Sequence, residues 1–257
     1  MRSPEGKATT RFAVPSAPSV ATLVAADHIY VELQPIVDLP TGRTTGVEAL
    51  ARCSVLEFAS PLLLFASAVR QEVVGLLGRV LRRQACRAAG GQRLFLNVHP
   101  KELDEDWLTD PDDPIHTYDG EVVLELAESV PLERHLCNFS VLTELRRRGI
   151  RLALDDFGAG YCNLDHILSL TPDLVKIDRS LVSGAVPGSK RQQLLAALRV
   201  LCDSQGATVV AEGIEAETEL AAVRASGIEL GQGFLLGRPS PSRVQPARRS
   251  AQFWDAP

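Results

Sequence analysis

Short apolar runs recur along this chain, and most of them stop on a polar side chain. Leu94-Phe95-Leu96 ends at Asn97, Val122-Val123-Leu124 at Glu125, and Leu152-Ala153-Leu154 at the pair Asp155-Asp156. Leu174-Val175 runs into Lys176, Thr208-Val209-Val210-Ala211 into Glu212, and Ile228-Glu229-Leu230-Gly231 into Gln232. Brief apolar runs bounded by turn-forming residues mark buried strands. They predict strands at 93–97, 122–126, 151–155, 174–177, 207–211 and 228–231. Two more candidates precede them, Ile29 to Val37 and Gly46 to Ala51, the second carrying Glu48 directly after Thr45-Gly46-Val47. The turn residues Leu39-Pro40-Thr41-Gly42 are all that separates this pair. So short a link makes the two strands antiparallel, because a parallel crossover needs about a dozen residues or more.

Helical stretches alternate with the later strands. Pro61 to Ala89 starts on proline and ends at Gly90-Gly91, and further helices are predicted at 131–148, 189–204 and 216–225. The alternation predicts an α/β fold, a modified TIM (β/α)8 barrel with an antiparallel first strand. It occupies residues 27–240, between a flexible N-terminal arm at 1–26 and a C-terminal tail at 241–257 that holds Phe253 and Trp254.

In a barrel of parallel strands the carboxyl ends meet at one face, where active sites of such folds sit. Glu48, Asn97, Glu125, Asp155, Asp156, Lys176, Glu212 and Gln232 then share one cup. Carboxylates crowded without partners repel each other, so a cation is expected among them. The pattern is that of a metal-dependent enzyme. Singly, each residue is bland. A lone Glu48 or Glu125 is a salt-bridged strand residue, a lone Lys176 a structural ion-pair partner, and Asp155-Asp156 a turn cap. The shared face is what sets those readings aside.

A formal net charge of -5 argues against a general DNA or RNA binder, which presents a basic face. The cysteines (Cys53, Cys86, Cys137, Cys162 and Cys202) are odd in number and form no C-x-x-C pair, which favours reduced thiols. No apolar run reaches the roughly 18 residues of a membrane span. The short run from Val20 to Ala26 is cut by Asp27 and lacks a signal-peptide plan. A soluble, cytoplasmic protein is expected. His28, His99, His116, His135 and His166 have no ligand spacing and are read as structural or solvent-facing.

Eight blocks follow one another in a specific order. They are Gln34-Pro35-Ile36-Val37-Asp38-Leu39, Glu48-Ala49-Leu50 with Arg52, Asn97-Val98, Glu125-Leu126-Ala127-Glu128, Asp155-Asp156-Phe157-Gly158-Ala159-Gly160, Lys176-Ile177-Asp178, Ala211-Glu212-Gly213-Ile214-Glu215, and Gln232-Gly233-Phe234, closing with Arg238-Pro239. From about Tyr30 to Pro239 the chain thereby resembles the EAL-domain cyclic di-GMP phosphodiesterases. The resemblance implies hydrolysis of one phosphodiester bond of cyclic di-GMP to linear diguanylate (pGpG), lowering a second-messenger level. It implies two ions, Mg2+ or Mn2+. Glu48, Asn97, Glu125 and Asp155 would hold one, with Asp155 bridging to a second completed by Asp156 and Glu212. Lys176, Glu48 and Glu212 are implied in catalysis, Lys176 beside the nucleophilic water. Gln34, Arg52, Asp178, Glu215 and Gln232 are implied as substrate contacts, and Glu128 as the anchor of the Asp155-Asp156 loop. That loop implies a homodimer, and the lack of a sensory module within these residues implies an unidentified sensory partner.

Some positions depart from the family pattern. Cys53 follows Arg52 where an aromatic residue is usual; Ala127, Ala159 and Cys162 replace small hydroxyl residues, and His99-Pro100 follows Asn97-Val98. They motivate an alternative, a catalytically inactive cyclic di-GMP receptor. A Schiff-base aldolase built on Lys176 is disfavoured, because nearby carboxylates would keep the amine charged.

Overall fold

In the computed structural model, residues 18–104, 106–127, 139–160 and 164–241 are described. Strands β1 (Ile29–Asp38) and β2 (Arg43–Cys53) form an antiparallel hairpin. β3 (Leu94–Asn97), β4 (Val122–Ala127), β5 (Arg151–Phe157), β6 (Leu174–Ile177), β7 (Thr208–Ala211) and β8 (Leu230–Gly231) follow in parallel. The eight strands close into a barrel in chain order, with β1 antiparallel to both of its neighbours. This is the modified (β/α)8 barrel expected from the apolar pattern.

Two apolar layers hold it. Between barrel and helices lies a continuous core that includes Leu33, Val47, Leu64, Leu77, Leu96, Leu124, Leu154, Val175 and Ile214. Inside the barrel, Ile36, Phe95, Val123, Ala153, Leu174, Val210 and Leu230 form a separate plug, one residue from every strand except β2. On β2 the corresponding position is Gly46, and a Cβ there would stand 2.9 Å from the Phe95 ring. Glycine leaves the room that Phe95 fills, so the plug is closed by one large side chain opposite an absent one.

The structure corrects three expectations. The stretch 61–89 is two helices, α2 (Pro61–Arg70) and α3 (Val74–Ala89), with Glu72 at φ 56 between them. The break docks a further helix, α1 (Val20–Ala25), whose first N–H is accepted by the Gln71 side chain at 2.9 Å. Val20 and Leu23 are buried, so this helix of the expected arm packs one face on the core; residues 1–17 lie outside the described part. Two short helices also went unforeseen, α5 (Leu164–Leu170) and α6 (Arg179–Val182). They follow α4 (Phe139–Arg147) in the chain, and the expected start of that helix at 131 lies outside the described residues. α7 (Lys190–Ser204) and α8 (Glu217–Ala225) fall within a residue of expectation. Ser240 pairs with Leu33 of β1, which ties the end of the barrel unit to its first strand; the tail at 242–257 is not described.

Candidate metal centre

Side chains two positions apart on a strand point the same way. Two positions beyond the plug residues Phe95, Val123, Ala153, Leu174, Val210 and Leu230 stand Asn97, Glu125, Asp155, Lys176, Glu212 and Gln232. On β2, Glu48 stands two beyond Gly46; on the reversed β1, Gln34 stands two before Ile36 and pairs with Glu48. The plug is therefore the floor of the site, and the next layer up is polar all the way round.

Asp155 and Asp156 are consecutive, and a regular strand would point them to opposite faces. The β5–β6 register shifts between Leu154 and Phe157, and Asp156 takes φ 56. This bulge turns the second carboxylate back, so that oxygens of Asp155, Asp156 and Glu212 lie within 4.8 Å of one another. A left-handed aspartate costs on the order of 1 kcal/mol, a strain typical of functional sites. Gly158, at φ 95, starts the loop beyond it; Gly160 shows no such conformation.

Lys176, 1% exposed, lies at the centre. Its Nζ is 2.7 Å from Glu125 Oε1 and Glu212 Oε1, and 3.1 Å from Glu48 Oε2 and Asp155 Oδ1. Gln232 Nε2 donates to Glu48 Oε2 at 2.7 Å and to Gln34 Oε1 at 3.1 Å, and Gln34 Nε2 donates to the Gly237 carbonyl at 3.1 Å. Asn97, at the exposed rim, donates its amide to Glu48 at 2.9 Å and to Glu125 at 3.1 Å.

Five carboxylates thus face one ammonium, and their acidities show the imbalance. Burial pushes Glu125 well above the ordinary range, helped by Glu48 beside it. Burial also raises Asp155 against the pull of Lys176, and raises Asp156 to about 6 with the help of Asp155. Glu212 rises to about 8, because burial and the neighbouring acids outweigh Lys176. Glu48 is the exception: burial acts on it too, but Lys176 and the bonds from Gln232 and Asn97 hold it below the ordinary value. Lys176 moves well upward, since the carboxylates outweigh the cost of its burial, and it stays charged.

A divalent cation fits this set. Glu125 Oε1 and Asp155 Oδ1 are buried and lean on Lys176 alone, at 2.7 and 3.1 Å. One ammonium shared among four carboxylates relieves their crowding only in part, and hard cations prefer all-oxygen donors of this kind. Asn97 would join them by turning its carbonyl oxygen inward.

The remaining predicted residues divide. Glu215 lines the cleft, of about 280 Å³, and its carboxylate meets Arg179 at 2.9 Å. Asp178 lies outside the lining and caps α6, accepting from Ser180 N at 2.9 Å. Arg52 also lies outside the lining, with its guanidinium held by Glu32 at 2.7 Å. Glu128 and Cys162 fall outside the described residues. His99 Nδ1 accepts from Lys101 N, capping the turn at Pro100–Leu103. Arg179 and Phe234 line the cleft but were missed from sequence. Phe234 is exposed, and the Arg238 guanidinium stacks on its ring at 4.3 Å, a pairing to which the Phe234–Arg238 spacing alone gave no clue. Burial, with Asp113 nearby, lifts the Cys86 thiol to about 11. Among the described residues, no helix is long and apolar enough to cross a membrane.

Fold and site together define an α/β-barrel protein with an acidic, cation-seeking pocket at the carboxyl ends of its strands. The EAL domain model matches residues 18–239, and the chain belongs to that family. A cyclic di-GMP phosphodiesterase of Pseudomonas aeruginosa is 34% identical over 226 residues, 83% of this chain and 38% of the relative. The phosphodiesterase NbdA of the same organism is 29% identical, across 90% of this chain and 31% of the relative. The chain therefore spans about a third of the length of these curated relatives. Among solved structures, a manganese/cyclic di-GMP complex of Klebsiella pneumoniae BlrP1 superposes with TM-score 0.71 at 30% identity, covering 83% of this chain and 56% of that one. The cyclic di-GMP complex of the PaMucR phosphodiesterase gives 0.75 at 25% identity, over 86% of this chain and 96% of that one.

Proposed function

We propose that this chain is a divalent-metal-dependent phosphodiesterase that hydrolyses cyclic di-GMP to linear diguanylate. The observation that carries the reading is the excess of buried carboxylate around one ammonium, which Glu48, Glu125, Asp155 and Glu212 share. The names of similar proteins supply the substrate. Glu48, Asn97, Glu125 and Asp155 would hold one Mg2+ or Mn2+, and Asp155, Asp156 and Glu212 a second. Bound there, the ions supply positive charge to the attacking and leaving oxygens and acidify a water.

The chain's own residues do the rest. Lys176 is held charged, so it donates a proton-rich contact to the water or to a phosphoryl oxygen and cannot act as the base. Gln232, bridging Gln34 and Glu48, fixes the orientation of the Glu48 carboxylate. Phe234, with Arg238 on one face of its ring, leaves the other face at the mouth for a base, and Arg179, paired with Glu215, carries further N–H donors that a phosphate could take. The Asp155 to Leu164 loop is read as the coupling between site and a homodimer; a monomer with full activity in sedimentation would end that part. A cytoplasmic site and a sensory partner remain part of the same proposal.

Incubating the pure protein with cyclic di-GMP and Mn2+ is expected to yield linear product, and Glu48→Ala to lower the rate by about a thousandfold or more, roughly 4 kcal/mol in barrier. Equal inertness of both proteins over hours would refute turnover. The alternative is a receptor without turnover; in either reading Arg52, held by Glu32, would have to be released to meet a phosphate. Tight nucleotide binding in EDTA without product in Mn2+ would establish the receptor.

A further inference from the structure

Lys176 meets four carboxylates at once. Its Nζ is 2.7 Å from Glu125 and Glu212 and 3.1 Å from Glu48 and Asp155, on a side chain that is 1% exposed. These four residues come from β2, β4, β5 and the end of β7, so the ammonium joins one side of the barrel to the other. The same four residues belong to the cation site proposed above, and the inference rests on that reading.

We infer that Lys176 is the pocket's built-in counter-ion: it gathers the carboxylates and competes with divalent ions for them. An ammonium has three N–H donors, one fewer than the carboxylates around it. It therefore offsets part of their charge without saturating the oxygens, since Glu125 Oε1 and Asp155 Oδ1 have no other hydrogen-bond partner. A multivalent ion that enters takes over these oxygens and meets a fixed like charge a few ångströms away, with little water between them to screen it. Lys176 then acts as a positioning residue through the carboxylates, besides any contact with the reacting water. It keeps the cup assembled, and it weakens ion binding in return.

The separating measurement is titration of MnCl2 into protein without nucleotide, by calorimetry, paired with melting in EDTA. Lys176→Met is expected to tighten the Mn2+ Kd by about tenfold or more, since one positive charge is gone, and to melt lower than wild type in EDTA. A Kd unchanged within twofold, or weakened, overturns the inference. If Lys176→Met does not fold in EDTA, the double variant K176M/E48Q, which removes one charge of each sign, is expected to melt above it. A double variant no more stable than the single one overturns the inference as well. Wild type that takes up no Mn2+ overturns the cation site and this inference together, whereas uptake with equal Kd values overturns this inference alone.

Discussion

Two buried charge clusters lie on either side of β3, and they are built to opposite rules. Arg82 of α3, 2% exposed, meets Glu102 and Asp113, which are fully buried. Its Nε and Nη2 hold Asp113 at 2.8–3.2 Å, and its Nη1 bonds Glu102. The spare oxygens are used too: Glu102 Oε1 accepts from His99 N at 3.1 Å, and Asp113 Oδ1 from Ile115 N at 3.3 Å. Burial raises Glu102, and the two carboxylates raise Arg82 against its own burial, yet each group has a partner. The pocket around Lys176 has five carboxylates for one ammonium, and Glu125 Oε1 and Asp155 Oδ1 have no partner besides it. A satisfied network clamps the fold; an unsatisfied one keeps a place for a ligand. The clamp also serves the pocket, since His99 lies two residues past Asn97 and the Glu102 bond fixes the exit of β3.

The comparison can be broken from the clamp side first. Arg82→Met would leave two buried carboxylates without a counter-charge, and is expected to cost about 3–5 kcal/mol in urea denaturation, with or without Mn2+. A loss under about 1 kcal/mol would mean that the clamp is dispensable.

The next effect is pH-dependent and belongs to the pocket. Glu212 sits at about 8 in the folded chain against an ordinary 4.5, so the folded form holds more protons between those values. Its contribution is present in full below pH 4.5 and is lost as pH rises toward 8; Asp156, at about 6, adds in the same sense. In EDTA, melting should therefore fall by several degrees across this window, and Mn2+ should flatten the slope by replacing the protons. A melting temperature that rises with pH in EDTA would contradict the crowding.

The smallest effect discriminates best. Glu125→Gln removes a charge that burial and Glu48 oppose, and is expected to leave stability in EDTA unchanged or raise it by about 1 kcal/mol while abolishing turnover. A loss of stability comparable to that of Arg82→Met would show that the two clusters follow one rule after all.

Much of this was legible in the chain because barrel strands obey a local rule. An apolar residue two before a polar one is enough to place Phe95 in the plug and Asn97 above it, and the same reading works for Val123 with Glu125 and Leu174 with Lys176. Short apolar runs and the tight turn at Leu39 to Gly42 carried the eight strands and the reversed first one. The break at Gln71 to Val73 was not legible, since no proline or glycine marks it and the gain comes from docking α1. Short helices such as α6, of 4 residues, are held by packing and capping more than by periodicity.

Residue order alone was thus enough for the barrel, through apolar runs that alternate with helical stretches, and for the ring of acids, through the polar residue that ends each run. Only the folded arrangement decided that Asp156 turns inward on a bulge, that Arg52 is taken by Glu32, and that Arg82 is a clamp and not a solvated helix residue. Each of these depends on a partner 20 or more residues away or on a strained dihedral angle, and neither leaves a mark in the local pattern.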